Sequence, residues 1–175
     1  MTIDMRRPRV VAALGAVLLL TAACGSSAGT AAGGNHPAAV STSDSAGLGP
    51  ILVDAHGRTL YFTDSDTAAA ARCTGDCLGF WQPLVVAGGT TPTASADLTG
   101  MLGRLVRKDA GTQVTYAGHP LYTFTLDRTA GQVVGNGFKD EFGGTSFTWH
   151  AVRSDGSAAA AGGSMSSSGG YGHGY

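Results

Sequence analysis

Three sets of side chains in this sequence have types and spacing that suit chemistry. Cys73 and Cys77 stand as Cys-x3-Cys in RCTGDC. Two thiols at that spacing can close a disulfide, or hold a soft cation such as Cu(I) together with His56, His119 or His150. Asp66 and Asp127 end two copies of Gly-x-x-Leu-Tyr-x4-Asp, GRTLYFTDSD (57–66) and GHPLYTFTLD (118–127). Two carboxylates brought together by a repeat can serve as acid and base. Asp64, Asp66 and Asp76 supply oxygens suited to a hard cation such as Ca²⁺.

Each of these has a plainer reading. An Asp at a strand end most often caps a turn by accepting backbone N–H groups. The acidic residues lack the spacing of an EF-hand loop. No alternating βα pattern surrounds the cysteines, and no methionine cluster accompanies them, so a structural disulfide is expected, with redox or copper chemistry as the alternative. Gly75 between the cysteines permits the tight turn that closure needs. Tyr61 and Tyr122 fall in strands, where a half-buried hydroxyl needs a partner. The Asp of the same copy is the candidate. Nucleophile elbows, zinc-protease motifs and phosphate-binding loops are absent from the sequence. No catalytic residue, cofactor or firm metal site is therefore expected.

The elements that must position these residues read as mainly β. PILVD (50–54) and TLYFT (59–63) flank a Gly57 turn as a hairpin. WQPLVVA (81–87) is an apolar strand whose Pro83 suits an edge. GRLVRKD (103–109) and TQVTYAG (112–118) flank a turn at Ala110-Gly111. PLYTFTL (120–126) and TSFTWHAV (145–152) complete the set. Ala68–Arg72 could form one helical turn. The Gly-rich stretch 128–144 reads as a long loop with function or hidden strands.

The ends of the chain read as an address and a tail. Arg6, Arg7 and Arg9 precede the apolar run VVAALGAVLLL (10–20). That run is too short to span a bilayer, which takes about 20 residues, but it suits a signal peptide over residues 1–23. LTAAC places small residues before Cys24, as in a bacterial lipobox, with Thr21 where Leu is usual. Cleavage there and lipidation of Cys24, as with palmitate, would make the mature protein an anchored lipoprotein. Residues 24–47 are Gly/Ala/Ser/Thr-rich and read as a flexible linker, and 156–175 as a disordered Gly/Ser-rich tail ending GYGHGY. The chain has 11 basic and 12 acidic residues. Its Lys and Arg are scattered, which argues against a nucleic-acid partner.

What remains, 48–155, is one domain. Its halves, about 48–100 and 101–155, align without gaps through Val53/Val114, Gly57/Gly118, Leu60/Leu121, Tyr61/Tyr122 and Asp66/Asp127, and each then reaches a tryptophan, Trp81 or Trp149. The expected fold is two tandem small antiparallel β units packed into one domain, because one such unit cannot bury its own apolar face. GHPLYTFTLD, CTGDC with its following Trp, QVTYAGHPLY and NGF…FGGTSFTW carry a resemblance over the whole domain. The chain resembles the secreted repeat family of unknown function, predicted lipoproteins with a Tyr-x-aromatic-x-x-Asp motif. Tyr122, Phe124 and Asp127 match that motif fully. Tyr61 and Asp66 match it too, but Thr63 stands in the aromatic place and Phe62 falls on the other strand face. The resemblance implies envelope localisation and a paired repeat, with no activity or catalytic residues to carry over. The functional expectation is a non-enzymatic binding or structural module of the cell envelope, exported to the outer face of the cell membrane as a lipoprotein, or secreted if Cys24 is not lipidated. A redox or copper-handling protein using Cys73 and Cys77, or a glycan hydrolase using Asp66 and Asp127, are the alternatives.

Overall fold

A computed structural model describes residues 39–161. Residues 1–38, which include the expected signal peptide and Cys24, and residues 162–175 lie outside the described residues. Within them the regular structure is β-strand, joined by turns and loops, with one 3-10 turn, Gly75–Gly79. No helix among the described residues is long and apolar enough to cross a membrane.

The strands run β1 (Ala39–Ser45), β2 (Gly49–Val53), β3 (Tyr61–Thr63), β4 (Trp81–Pro83), β5 (Val85–Val86), β6 (Thr93–Ala94), β7 (Leu102–Arg107), β8 (Gly111–Tyr116), β9 (His119–Pro120), β10 (Tyr122–Phe124), β11 (Lys139–Phe142) and β12 (Thr145–Ala151). The central sheet is antiparallel with order β11-β12-β3-β10-β4. A second sheet has order β5-β8-β7, with β9 also on β8, and a third has order β2-β1-β6.

The two halves are not stacked side by side; they exchange strands. The Leu-Tyr strands β3 and β10 lie together at the centre, with Tyr61 opposite Tyr122. Each then pairs outward with the tryptophan strand of the other half. Trp149 sits opposite Thr63, and Trp81 opposite Phe124. Beyond the tryptophans the exchange repeats in the backbone. Leu52 donates to Val152, Val152 to Leu60, and Leu60 to Leu52, at 2.7, 3.0 and 2.9 Å. Val114 donates to Leu84, Leu84 to Leu121, and Leu121 to Val114, at 2.8, 2.9 and 3.0 Å. These two closed rings of three bonds are equivalent, so Leu52, not Val53, is the counterpart of Val114. The gapless alignment slips by one residue before the turn. The turn glycines do correspond, Gly57 at φ +75° and Gly118 at φ +85°, where a side chain would be strained.

The Leu-Tyr pair has a direct cause in this arrangement. Successive strand residues face opposite ways, and both faces of these strands are covered. Leu60, Phe62 and Leu121 enter one core with Val40, Leu52, Val86, Val114, Tyr116 and Val152. Tyr61, Tyr122 and Phe124 enter the other with Ile51, Trp81, Phe147, Trp149 and the cysteines. One repeated dipeptide thus serves two cores.

Several expectations need correction. The linker does not extend to residue 47, because β1 pairs along β2 from Ser41↔Val53 to Ser45↔Gly49. The tail does not begin at 156. Arg153 donates its N–H to Ser157 O, Val152 bridges Ala158, and Ala159 is buried and donates to Ala151 O. The 50–54 and 59–63 segments meet only around Val53↔Thr59 before β3 leaves for the central sheet. There the Asp54 carboxylate takes the turn's N–H groups from His56 and Arg58. WQPLVVA divides into β4 and β5 in different sheets, and β4, with Pro83, is an edge strand. Residues 67–70 form a bridged turn and no helix. The 128–144 stretch hides β11, which pairs with β12.

Candidate functional site

The repeated Tyr and Asp meet, but across the halves. The Tyr61 hydroxyl donates to Asp127 Oδ2 at 2.7 Å, and the Tyr122 hydroxyl to Asp66 Oδ2 at 2.6 Å. The expected partner, the Asp of the same copy, is not used in either case. The reason is the strand exchange: a strand entering the other half's sheet carries its hydroxyl to the other half's loop. Each Asp then uses its second oxygen on its own loop. Asp66 Oδ1 accepts the Arg72 N–H at 2.6 Å, and Asp127 Oδ1 the Val134 N–H at 2.9 Å. Both carboxylates are buried, and burial pushes each above the ordinary carboxylate value against the lowering effect of its tyrosine donor. Burial, with the neighbouring carboxylate, also pushes both phenols up, so they stay protonated donors. Asp66 and Asp127 share no hydrogen-bond partner; each is held by the other half's tyrosine and by its own loop.

The two hydroxyls differ in their second contact. Gly135 N–H donates to the Tyr61 hydroxyl at 3.3 Å, and a Cβ on Gly135 would stand 2.8 Å from the Trp81 ring and 3.0 Å from the Tyr61 ring. Only glycine allows that approach. The Tyr122 hydroxyl instead accepts from buried Arg107 at 3.1 Å. Arg107 spends its remaining donors on Gln113 Oε1, Cys73 O and both oxygens of Asp109. That hydrogen bonding holds the Asp109 carboxyl below its ordinary range.

Cys73 and Cys77 form a disulfide with Cα atoms 5.4 Å apart, and both are fully buried. His119, considered with them as a metal ligand, instead packs on Phe62 at 4.1 Å, and burial lowers its pKa. His150 lies 5.4 Å from the same ring and 3.0 Å from Asp64. Among the described residues no group of three or more His, Cys, Asp or Glu side chains is placed to hold a metal.

The tryptophans make the junction that the sequence did not reveal. Trp81 and Trp149 stack at 3.8 Å with planes 9° apart. Both indole N–H groups donate to one carboxylate, Asp140, at 2.8 and 3.0 Å. Tyr61 meets Trp81 edge-on at 5.4 Å, and Tyr122 meets Trp149 likewise at 5.2 Å. Phe124 caps the Trp81 side at 4.0 Å. The Trp149 side has no aromatic at Thr63, and Phe147 takes that role from two residues upstream of Trp149, at 5.8 Å. In the sequence Asp140 is the middle of three consecutive charged residues between Phe138 and Phe142, a pattern that does not single it out.

Beside this stack the surface opens. Phe80, Leu126, Phe138 and Phe142 line a groove of about 290 Å³ with Asp140 and Glu141. Phe80 is 47%, Leu126 38% and Phe138 37% exposed. Phe138 packs on Phe124 at 5.2 Å and near Trp81 at 6.2 Å, so the groove floor is continuous with the stack. None of these groove residues was singled out from the sequence, apart from the run NGF…F.

Fold and site define an all-β repeat domain whose halves exchange strands and side chains, with the repeated Tyr and Asp turned inward and an aromatic groove open at the surface. The sequence model of the secreted repeat of unknown function matches twice, over residues 42–85 and 103–153, and the chain belongs to that family. No curated protein and no solved structure matches the chain.

Proposed function

We propose that this protein is an exported lipoprotein of a bacterial cell envelope, anchored at Cys24 and acting as a non-enzymatic binding or structural module. The observation that carries this is the fate of the groups best suited to acid–base work. Tyr61, Tyr122, Asp66 and Asp127 are buried and spend their hydrogen bonds on each other and on their own loops. The groove of Phe80, Leu126, Phe138 and Phe142 is the surface suited to binding. The family's description as a secreted repeat supports export. The buried disulfide favours a structural role for the cysteines over copper handling. The scattered basic residues favour a partner other than nucleic acid.

Two measurements test the reading. In cells fed a palmitate analogue, the protein is expected to take up label and sediment with membranes, and Cys24→Ser to abolish both. Label and sedimentation that survive Cys24→Ser would overturn the anchor. Photo-crosslinkers at Phe80 or Leu126 on the cell surface are expected to trap an envelope component that one at exposed Val106 does not. Equal yields at all three positions would overturn the groove as the binding face.

A further inference from the structure

The described chain ends beside the aromatic groove. Ala159 is buried, and the Ala160 carbonyl accepts from Asn136 Nδ2 at 2.8 Å. The Ala161 Cβ lies 3.6 Å from where a Cβ on Gly137 would stand. Gly137 immediately precedes Phe138, a groove residue. The described chain thus ends against the residue that precedes a groove phenylalanine.

The sequence of residues 162–175, GGSMSSSGGYGHGY, suits such a surface. Its large side chains are Met165, Tyr171, His173 and Tyr175, and it has no Asp or Glu. A tyrosine lays an apolar ring on phenylalanines while its hydroxyl finds an acceptor. The groove offers both, three exposed or half-buried phenylalanines and the carboxylates of Asp140 and Glu141. Length is sufficient. The ten residues from Ala161 to Tyr171 reach up to about 33 Å when extended, and a Gly/Ser-rich chain of that length has an r.m.s. span of about 17 Å. A tether this short gives an effective concentration on the order of millimolar. Even a weak contact of millimolar intrinsic affinity then half-fills the groove.

We propose that Gly162–Tyr175 docks into the Phe80–Leu126–Phe138–Phe142 groove of its own molecule, with Tyr171 and Tyr175 as anchors. The groove is then a self-covered surface, and an envelope ligand reaches it by displacing the segment. The docking does not require that such a ligand exist.

Backbone amide spectra of the exported chain test this, taken at several protein concentrations. Three forms are compared: the whole chain, the chain ending at Ala161, and the whole chain carrying Tyr171→Ser and Tyr175→Ser. The expected result is that both altered forms shift the same amides, at Phe80, Leu126, Phe138 and Asp140–Phe142. Synthetic peptide 162–175, added to the shortened chain at millimolar concentration, is expected to move those amides back. Identical spectra for all three forms, or shifts confined to other surfaces, would overturn the proposal. Shifts that grow with protein concentration would overturn it in favour of a second copy as the occupant. The tyrosine variant removes no described residue, so the test stands even if shortening weakens the fold.

Discussion

At the scale of the residue, the reciprocal Tyr–Asp bonds decide how to read the repeat. A phenol donating to a buried carboxylate is a charge-assisted bond, and removing one partner leaves the other desolvated and unpaired at a cost of about 1–3 kcal/mol. The crossed pairing gives a specific expectation. Tyr122→Phe and Asp66→Ala, and likewise Tyr61→Phe and Asp127→Ala, should couple by about 1 kcal/mol or more in double-mutant cycles by urea unfolding. Tyr122→Phe with Asp127→Ala should be nearly additive. Coupling in the same-copy pairs alone would contradict the structure. The carboxylates also set a pH dependence. Asp66 and Asp127 both titrate above their ordinary value of 3.8 in the fold, so the folded state holds more protons than the unfolded chain in that window. Their contribution to stability is complete below the unfolded value and is lost as pH rises through the folded one. The stability advantage of the native protein over an Asp66→Asn, Asp127→Asn variant should therefore grow as pH falls from about 7 towards 4. A flat or opposite difference, measured by urea midpoints across that range, would show that burial does not dominate these groups.

At the scale of the element, Asp140 joins what the strands alone leave separate. β11 carries it beside the indoles of β4 and β12, which lie on opposite sides of the β3–β10 pair. Asp140→Ala orphans two indole N–H groups at once, and the expected loss is about 2–4 kcal/mol. Asp140→Asn keeps one acceptor oxygen and should lose less. Thermal unfolding orders the two, and equal losses would mean that Asp140 acts only through its charge. This element was poorly legible from sequence. Lys139–Phe142 is short, sits in a Gly-rich stretch, and owes its strand state to β12 rather than to its own propensity. β1 was hidden for a similar reason. AVSTSDS has few large apolar residues, and its pairing with β2 makes it a strand.

At the scale of the whole molecule, exchange makes the halves mutually dependent. Each half's Tyr strand pairs with the other's Trp strand, each Asp holds the other's tyrosine, and each backbone ring of three takes one member from the other half. Neither half should fold alone. Fragments 39–100 and 101–161 are expected to show no cooperative unfolding separately and to recover it on mixing, as followed by near-ultraviolet circular dichroism from the tryptophan stack. A cooperative transition in either fragment alone would mean that one half closes its own core.

The sequence by itself determined the class of structure. Two copies of Gly-x-x-Leu-Tyr-x4-Asp, each followed by a tryptophan, fixed on local grounds where the turns fall and which residues enter a core. A turn at positive φ needs glycine, and alternating side chains in a strand need two apolar environments. The cysteine pair was legible for the same reason, since closing so short a loop is local chemistry. Tertiary structure alone decided which copy each strand and each hydroxyl would join. Internal repeats make self-pairing and cross-pairing equivalent in local pattern, and only packing both faces of β3 and β10 distinguishes them. It also decided the roles of Asp140, Arg107 and the groove phenylalanines. Their partners lie in other strands and loops, and nothing in the spacing of a chain records which carboxylate two distant indoles will share.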